Sequence, residues 1–136
     1  MKITASVQNS KDNHTVVVAT NNNQTSLDIK PKATGRGSSI NGGELLFLSL
    51  ATCYCNDIFR EAEGMNIAVH TLEVNVTGEF GGRGEPARNV TFDVKISADA
   101  SEEKIHELLQ LTNDVAEIQN TMRISTPVLL GQTEIL

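Results

Sequence analysis

The most apolar stretch of the chain runs from Leu45 to Cys55, where nearly every residue is hydrophobic or small. Polar residues return at Asn56, Asp57, Arg60, Glu61 and Glu63. Helix signals bound this stretch on both sides. Asn41 stands in the N-cap position with Glu44 three residues later, a capping box with Asn in the Ser/Thr role. Gly64 follows Arg60-Glu61-Ala62-Glu63 and reads as the C′ glycine. The spacing predicts a helix of roughly 20 residues, about 30 Å long. Its first half is apolar on all sides and should therefore be buried on all sides.

The flanking segments alternate instead. Ile3, Ala5 and Val7 predict a half-buried or edge strand, and Ser10-Lys11-Asp12-Asn13 a turn. Thr15 to Thr20 is rich in β-branched residues and predicts a second strand. A turn at Asn21-Asn22-Asn23 leads to a short third strand at Ser26–Ile29. Residues 30–40 read as a loop. Beyond Gly64, Leu72, Val74, Val76 and Phe80 alternate with Glu73, Asn75, Thr77 and Glu79; Val90, Phe92, Val94 and Ile96 alternate with Thr91, Asp93 and Lys95. The Gly81–Pro86 hairpin loop joins them, so they predict an antiparallel pair with one wet face. Asp99 and Glu102 suggest a second capping box. The helix it opens carries a stripe of Ile105, Leu108, Leu109, Leu111, Val115 and Ile118. Pro127 opens a last strand through Val128-Leu129-Leu130 to Ile135.

Strands and helices come in runs, which predicts the α+β class. The 136 residues suit a single domain spanning 1–136. One sheet and one amphipathic helix do not cover a helix that is apolar all round. A second copy of the chain is the expected cover, giving a homodimer with the Leu45–Cys55 helices near its two-fold axis.

Composition narrows the function classes. A net charge of −6 and a pI near 5.0, with no basic patch, argue against a nucleic-acid or anionic-membrane partner. No signal-peptide pattern or membrane-span pattern is evident, so a cytoplasmic, reducing location is expected. The two cysteines are then core thiols or reactive ones, not a disulfide framework. The glycines of 81–84 do not join a strand to a helix and are not a phosphate loop. His14, His70 and His106 lack metal-ligand spacing, and a C-x-C site is a weak signal. Neither cofactor nor metal is expected.

Cys53 admits two readings. It is a small interface residue, or a nucleophile that needs a nearby cation, since burial raises a thiol pKa and the helix N-terminus is about three turns away. Cys55 is rotated by about 200° from Cys53, too far for a disulfide within one helix, and reads as a buried small hydrophobe. Glu44 caps the helix or orients an activating arginine. Arg36 is a loop charge or the partner of a thiolate. Arg60 lies on the face of Cys53, two turns on, and reads as a surface charge.

The segment Asn41-Gly42-Gly43-Glu44-Leu45-Leu46, followed by Ala51-Thr52-Cys53, resembles the N-P-E-E/Q-L and A-x-C motifs of the OsmC/Ohr family of small thiol peroxidases. The order of elements and the helix start at Ser101-Glu102-Glu103 are similar too, so the resemblance spans essentially the whole chain. It implies antiparallel sheets around a buried cysteine-bearing helix in an intertwined homodimer, and reduction of organic hydroperoxides. In the family a peroxidatic cysteine attacks the peroxide, an arginine and a glutamate activate it, and a second cysteine on a later helix resolves it. Cys53 matches the peroxidatic position. The resolving cysteine of a C-P-V triplet falls on Ala116-Glu117-Ile118 and is missing. The first glutamate falls on Gly43, with Glu44 beside it, and Arg36 is the nearest candidate for the arginine. The resemblance thus implies a one-cysteine variant regenerated by an external thiol, with catalytic candidates Cys53, Arg36 and Glu44. Leu46, Phe47, Leu50 and Tyr54 would line its apolar substrate pocket. The alternatives are a non-catalytic dimer that binds an apolar small molecule, and a redox sensor.

Overall fold

A computed structural model describes residues 1–136. The chain divides into two compact units, Met1–Leu45 and Leu46–Leu136. In the first, β1 (Ile3–Asn9), β2 (His14–Thr20) and β3 (Asn23–Leu27) form an antiparallel meander in the order β1-β2-β3. The β-branched run makes β2 the central strand, and it holds the buried Val16 and Ala19. Asn21 turns the chain into β3 at φ 54°, a left-handed conformation that Asn tolerates. The turn closes after Asn22, so β3 begins earlier than the expected Ser26. Every residue of β1 is exposed, so of the two expectations for it, half-buried or edge, the edge strand is the one formed. The loop after β3 is pinned to the first hairpin through His14, whose Nε2 bonds Ser38 Oγ at 2.9 Å and whose Nδ1 bonds Asn9 Nδ2 at 3.0 Å.

The long helix α1 (Gly42–Gly64) has the expected capping box. The Glu44 N–H donates to Asn41 Oδ1 at 2.9 Å, and the Asn41 N–H to Glu44 Oε2 at 2.7 Å. Its other end differs from expectation. Gly64 remains helical, and the left-handed stop is Asn66 at φ 54°. The Ile67 N–H reaches Ala62 O at 2.9 Å and the Asn66 N–H reaches Glu63 O at 3.1 Å, the bond pair of a Schellman motif. The stop falls there because Ile67 can then dock beside Ala62 in the core.

The second unit is built on β4 (Val69–Phe80) and β5 (Ala87–Ala98), paired with Leu72 opposite Ile96, Val74 opposite Val94 and Val76 opposite Phe92. Of these, Leu72, Val74, Phe92, Val94 and Ile96 pack against the core of Tyr54, Ile58 and Ala62 of α1 and Leu108 of α2 (Glu102–Val115). Fully buried side chains such as Ile58 and Leu108 each contribute about 1.5–3 kcal/mol. Ser101, not Asp99, caps α2, accepting from the Lys104 N–H at 3.3 Å. The expected stripe through Ile118 is interrupted, because Ala116 is extended (ψ 108°) and a separate helix α3 (Glu117–Arg123) follows.

Two expectations about burial are corrected within the single chain. The buried residues of α1 are Leu50, Tyr54, Asp57, Ile58 and Ala62, which is one face; Leu48 is 59% exposed and Phe59 49%. The segment from Thr126 forms no strand, and Val128, Leu129, Leu130 and Ile135 are almost fully exposed. A strand needs a neighbour for its backbone N–H and C=O groups, and this chain offers the segment none.

Candidate functional site

Helical spacing assembles the site. Residues three and four apart on a helix are neighbours, so Cys53, Asp57 and Arg60 follow one another along a single face of α1. The Cys53 thiol donates to Asp57 Oδ2 at 3.4 Å. Asp57 is only 5% exposed, and its other oxygen, Oδ1, is held by the Arg60 guanidinium at 2.8 Å. Opposite them stands the break between α2 and α3. Glu117, first residue of α3, brings one carboxylate oxygen to 4.0 Å from the Cys53 sulfur and the other to 3.8 Å from Arg60. Arg60 also binds Glu61 at 2.8 Å.

This setting holds Cys53 in its thiol form. Burial pushes its pKa up first, and the hydrogen bond and charge of Asp57 and the charge of Glu117 push the same way; a backbone hydrogen bond from Ile118 acts against them. Burial also raises the Asp57 pKa, while the Cys53 hydrogen bond and the Arg60 charge work in the other direction. Cys53, Asp57 and Glu117 present three potential metal-ligand atoms within 4.8 Å of one another. The Arg60 guanidinium bridges the two carboxylates there and offsets part of their charge, so the arrangement reads as a hydrogen-bonded ion cluster.

The other expected residues fall elsewhere. The Glu44 carboxylate closes the capping box of α1. Arg36 lies in the loop of the first unit, beside the Asn9–His14 hairpin. Arg60, expected as a surface charge, is half-exposed and pairs with Asp57 and Glu117, not with the sulfur. Asp57 and Glu117 are not among the expected site residues, Cys53, Arg36 and Glu44. The i, i+4 and i, i+7 spacing of Cys53, Asp57 and Arg60 was a visible signal; nothing in the sequence announced Glu117 as the fourth member. Cys55 points to a different face, into a shallow recess with Ala51, Thr52, Asn56 and Val74, and both cysteines are free thiols.

One turn before Cys53, Leu50 borders a cavity of about 340 Å³ with Val90, Phe92 and Met122 as its apolar wall and Arg88 and Arg123 also lining it. Of the expected pocket residues only Leu50 lines it; Tyr54 is buried with its hydroxyl donating to Leu109 O at 2.7 Å, and Phe47 stacks on Phe80 at 5.8 Å. Gln119 reaches the same cavity. Its Nε2 donates to Leu50 O at 2.9 Å, and its Oε1 is buried without a partner.

The chain is thus a small mixed α+β protein with antiparallel sheets and a cysteine-bearing long helix. A family profile described as "OsmC-like protein" matches residues 35–130, and the chain belongs to that family. No curated protein sequence matches it. Among solved structures it is similar to an OsmC-like protein from Mycoplasma pneumoniae, at 23% identity over 90% of this chain and 86% of that one, TM-score 0.65. It is also similar to the organic hydroperoxide resistance protein OhrB of Bacillus subtilis, at 19% identity over 88% and 90%, TM-score 0.54. A third is the organic hydroperoxide resistance protein OsmC of Legionella pneumophila, at 16% identity over 90% of each chain, TM-score 0.53. At these identities the structural likeness establishes the fold. No helix of the chain is long and apolar enough to cross a membrane.

Proposed function

We propose that this protein is a one-cysteine thiol peroxidase that reduces organic hydroperoxides at Cys53 and is regenerated by an external thiol. The observation that carries the reading is the position of Cys53. It stands on the long helix at the family's A-x-C motif and faces the break at Ala116-Glu117-Ile118, where the family resemblance puts a resolving cysteine. By that resemblance Cys53 has the peroxidatic position and Ala116 stands where the resolving cysteine would be, with the neighbouring Glu117 carboxylate 4.0 Å from the sulfur. Attack on a hydroperoxide leaves a sulfenic acid, and with no second thiol opposite, that species waits for a small thiol or a dithiol carrier. The cavity beside Leu50 suits the apolar part of such a hydroperoxide. The named activity of the Ohr-type structural relatives, organic hydroperoxide resistance, agrees with this reading.

We further propose that the working form is a homodimer in a reducing cytoplasm. The support is the uncovered Leu48 and Phe59 on α1 and the apolar segment Val128-Leu129-Leu130, all of which a second copy would cover. A non-catalytic reading has one observation in its favour, the raised pKa of Cys53, since a peroxidatic thiol reacts as thiolate. The discriminating experiment is consumption of cumene hydroperoxide by the purified protein, with dithiothreitol or a dihydrolipoyl carrier as reductant. Turnover abolished by Cys53→Ser and retained in Cys55→Ser is expected; wild-type protein that consumes none would support the binding role.

A further inference from the structure

We propose that Asp57 shuttles the proton of the Cys53 reaction, taking it from the thiol as sulfur attacks the hydroperoxide and handing it to the departing alkoxide. This rests on the peroxidase reading above and assigns it a proton path. The geometry comes first. Asp57 Oδ2 accepts from the Cys53 thiol at 3.4 Å, and Oδ1 is fixed by Arg60 at 2.8 Å. One oxygen is therefore anchored and the other is aimed at the reacting sulfur. Arg60 is itself held by Glu61 and Glu117, so the carboxylate cannot easily swing away.

The alternatives are poorer. No guanidinium or ammonium touches the sulfur, because Arg60 is turned toward the far oxygen of Asp57 and toward Glu117. A thiolate formed in advance would face two carboxylates at close range. Glu117 is farther, at 4.0 Å, and its side chain is 68% exposed. The groups facing Asp57 are Cys53 and Arg60 from α1 and Glu117 from α3. Burial makes Asp57 a stronger proton acceptor than a solvated carboxylate, which suits it to the transfer.

The step balances. The thiol proton passes to Asp57 Oδ2 as the sulfur lone pair attacks the terminal peroxide oxygen. The S–O bond forms and the O–O bond breaks. Sulfur is oxidised by two electrons to the sulfenic acid, which keeps the peroxide's own hydrogen. The alkoxide leaves and takes the proton back from Asp57, giving the alcohol and restoring the carboxylate.

Two reagents separate this role from a merely structural one. Iodoacetamide needs a thiolate but releases no alkoxide, whereas cumene hydroperoxide needs both proton transfers. The Cys55→Ser chain and the same chain with Asp57→Asn are reacted with each under single-turnover conditions, and loss of the Cys53 thiol is followed. Removing the carboxylate charge should raise the alkylation rate at neutral pH several-fold. The hydroperoxide rate should fall at least ~10-fold, toward the range of about 10²–10⁴ typical of general acid–base catalysis. Rates that move in the same direction with both reagents overturn the proposal. Should the Asn variant not fold, the pH profile of the parent decides. A hydroperoxide rate that levels off while alkylation is still climbing supports the shuttle, and two parallel profiles overturn it. Parent protein that alkylates yet never reacts with hydroperoxide overturns the peroxidase reading and this inference together; parent that reacts, with Asp57→Asn unimpaired, overturns this inference alone.

Discussion

Cys53 sits where burial and two carboxylates oppose its ionisation. A raised pKa means a smaller thiolate fraction at neutral pH than in free cysteine, and a fraction that grows as pH rises past the ordinary thiol range of about 8.5. In a Cys55→Ser background, alkylation by iodoacetamide at neutral pH should be slower than that of free cysteine and should climb steeply in alkaline buffer; a rate already level at neutral pH would contradict this electrostatic account. The same shift has a sign for stability. The folded state keeps its proton longer than the unfolded one, so the contribution of Cys53 is full below the unfolded pKa and is lost as pH rises through the folded one. At this scale the sequence was only partly readable. Cys53 stood out as a cysteine in an apolar helix, while Asp57 and Arg60 looked like the start of a wet face. Asp57 escapes the solvent because α3 folds back over that part of α1, a contact made by residues about sixty positions away, while Arg60 stays half-exposed at its edge.

Local rules made most of the elements readable. The capping box at Asn41 and Glu44 formed as spaced, and Asn41→Ala should lower stability by about 1 kcal/mol in chemical denaturation, with an unchanged midpoint contradicting the cap. The alternation of β4 and β5 predicted both their pairing and the face they bury. The stop of α1 was misplaced by two residues because both Gly64 and Asn66 can serve as a left-handed terminator, and the tertiary docking of Ile67 chose between them. The break at Ala116 was missed for a related reason. Ile118 continues the apolar period of α2, and its spacing alone does not reveal that the backbone becomes extended two residues earlier. The final strand was read from apolar composition, yet a strand exists only where a neighbour supplies hydrogen bonds.

For the molecule as a whole, the uncovered apolar residues of α1 and of the C-terminal segment argue for the proposed homodimer. Light scattering should then give a mass twice that of the 14.7 kDa chain, and Leu48→Glu should shift it toward the single-chain value. A wild-type chain that stays monomeric at tens of micromolar would contradict the dimer. Family membership follows from residues 35–130, and the proposed reaction rests on what surrounds one sulfur atom. The most direct measurement is therefore on that atom: the folded protein is mixed with equimolar cumene hydroperoxide, quenched with dimedone and mapped by mass spectrometry. The account predicts a sulfenic-acid adduct at Cys53, none at Cys55, and cumyl alcohol formed in equal amount; an unmodified Cys53 with the hydroperoxide intact would contradict it.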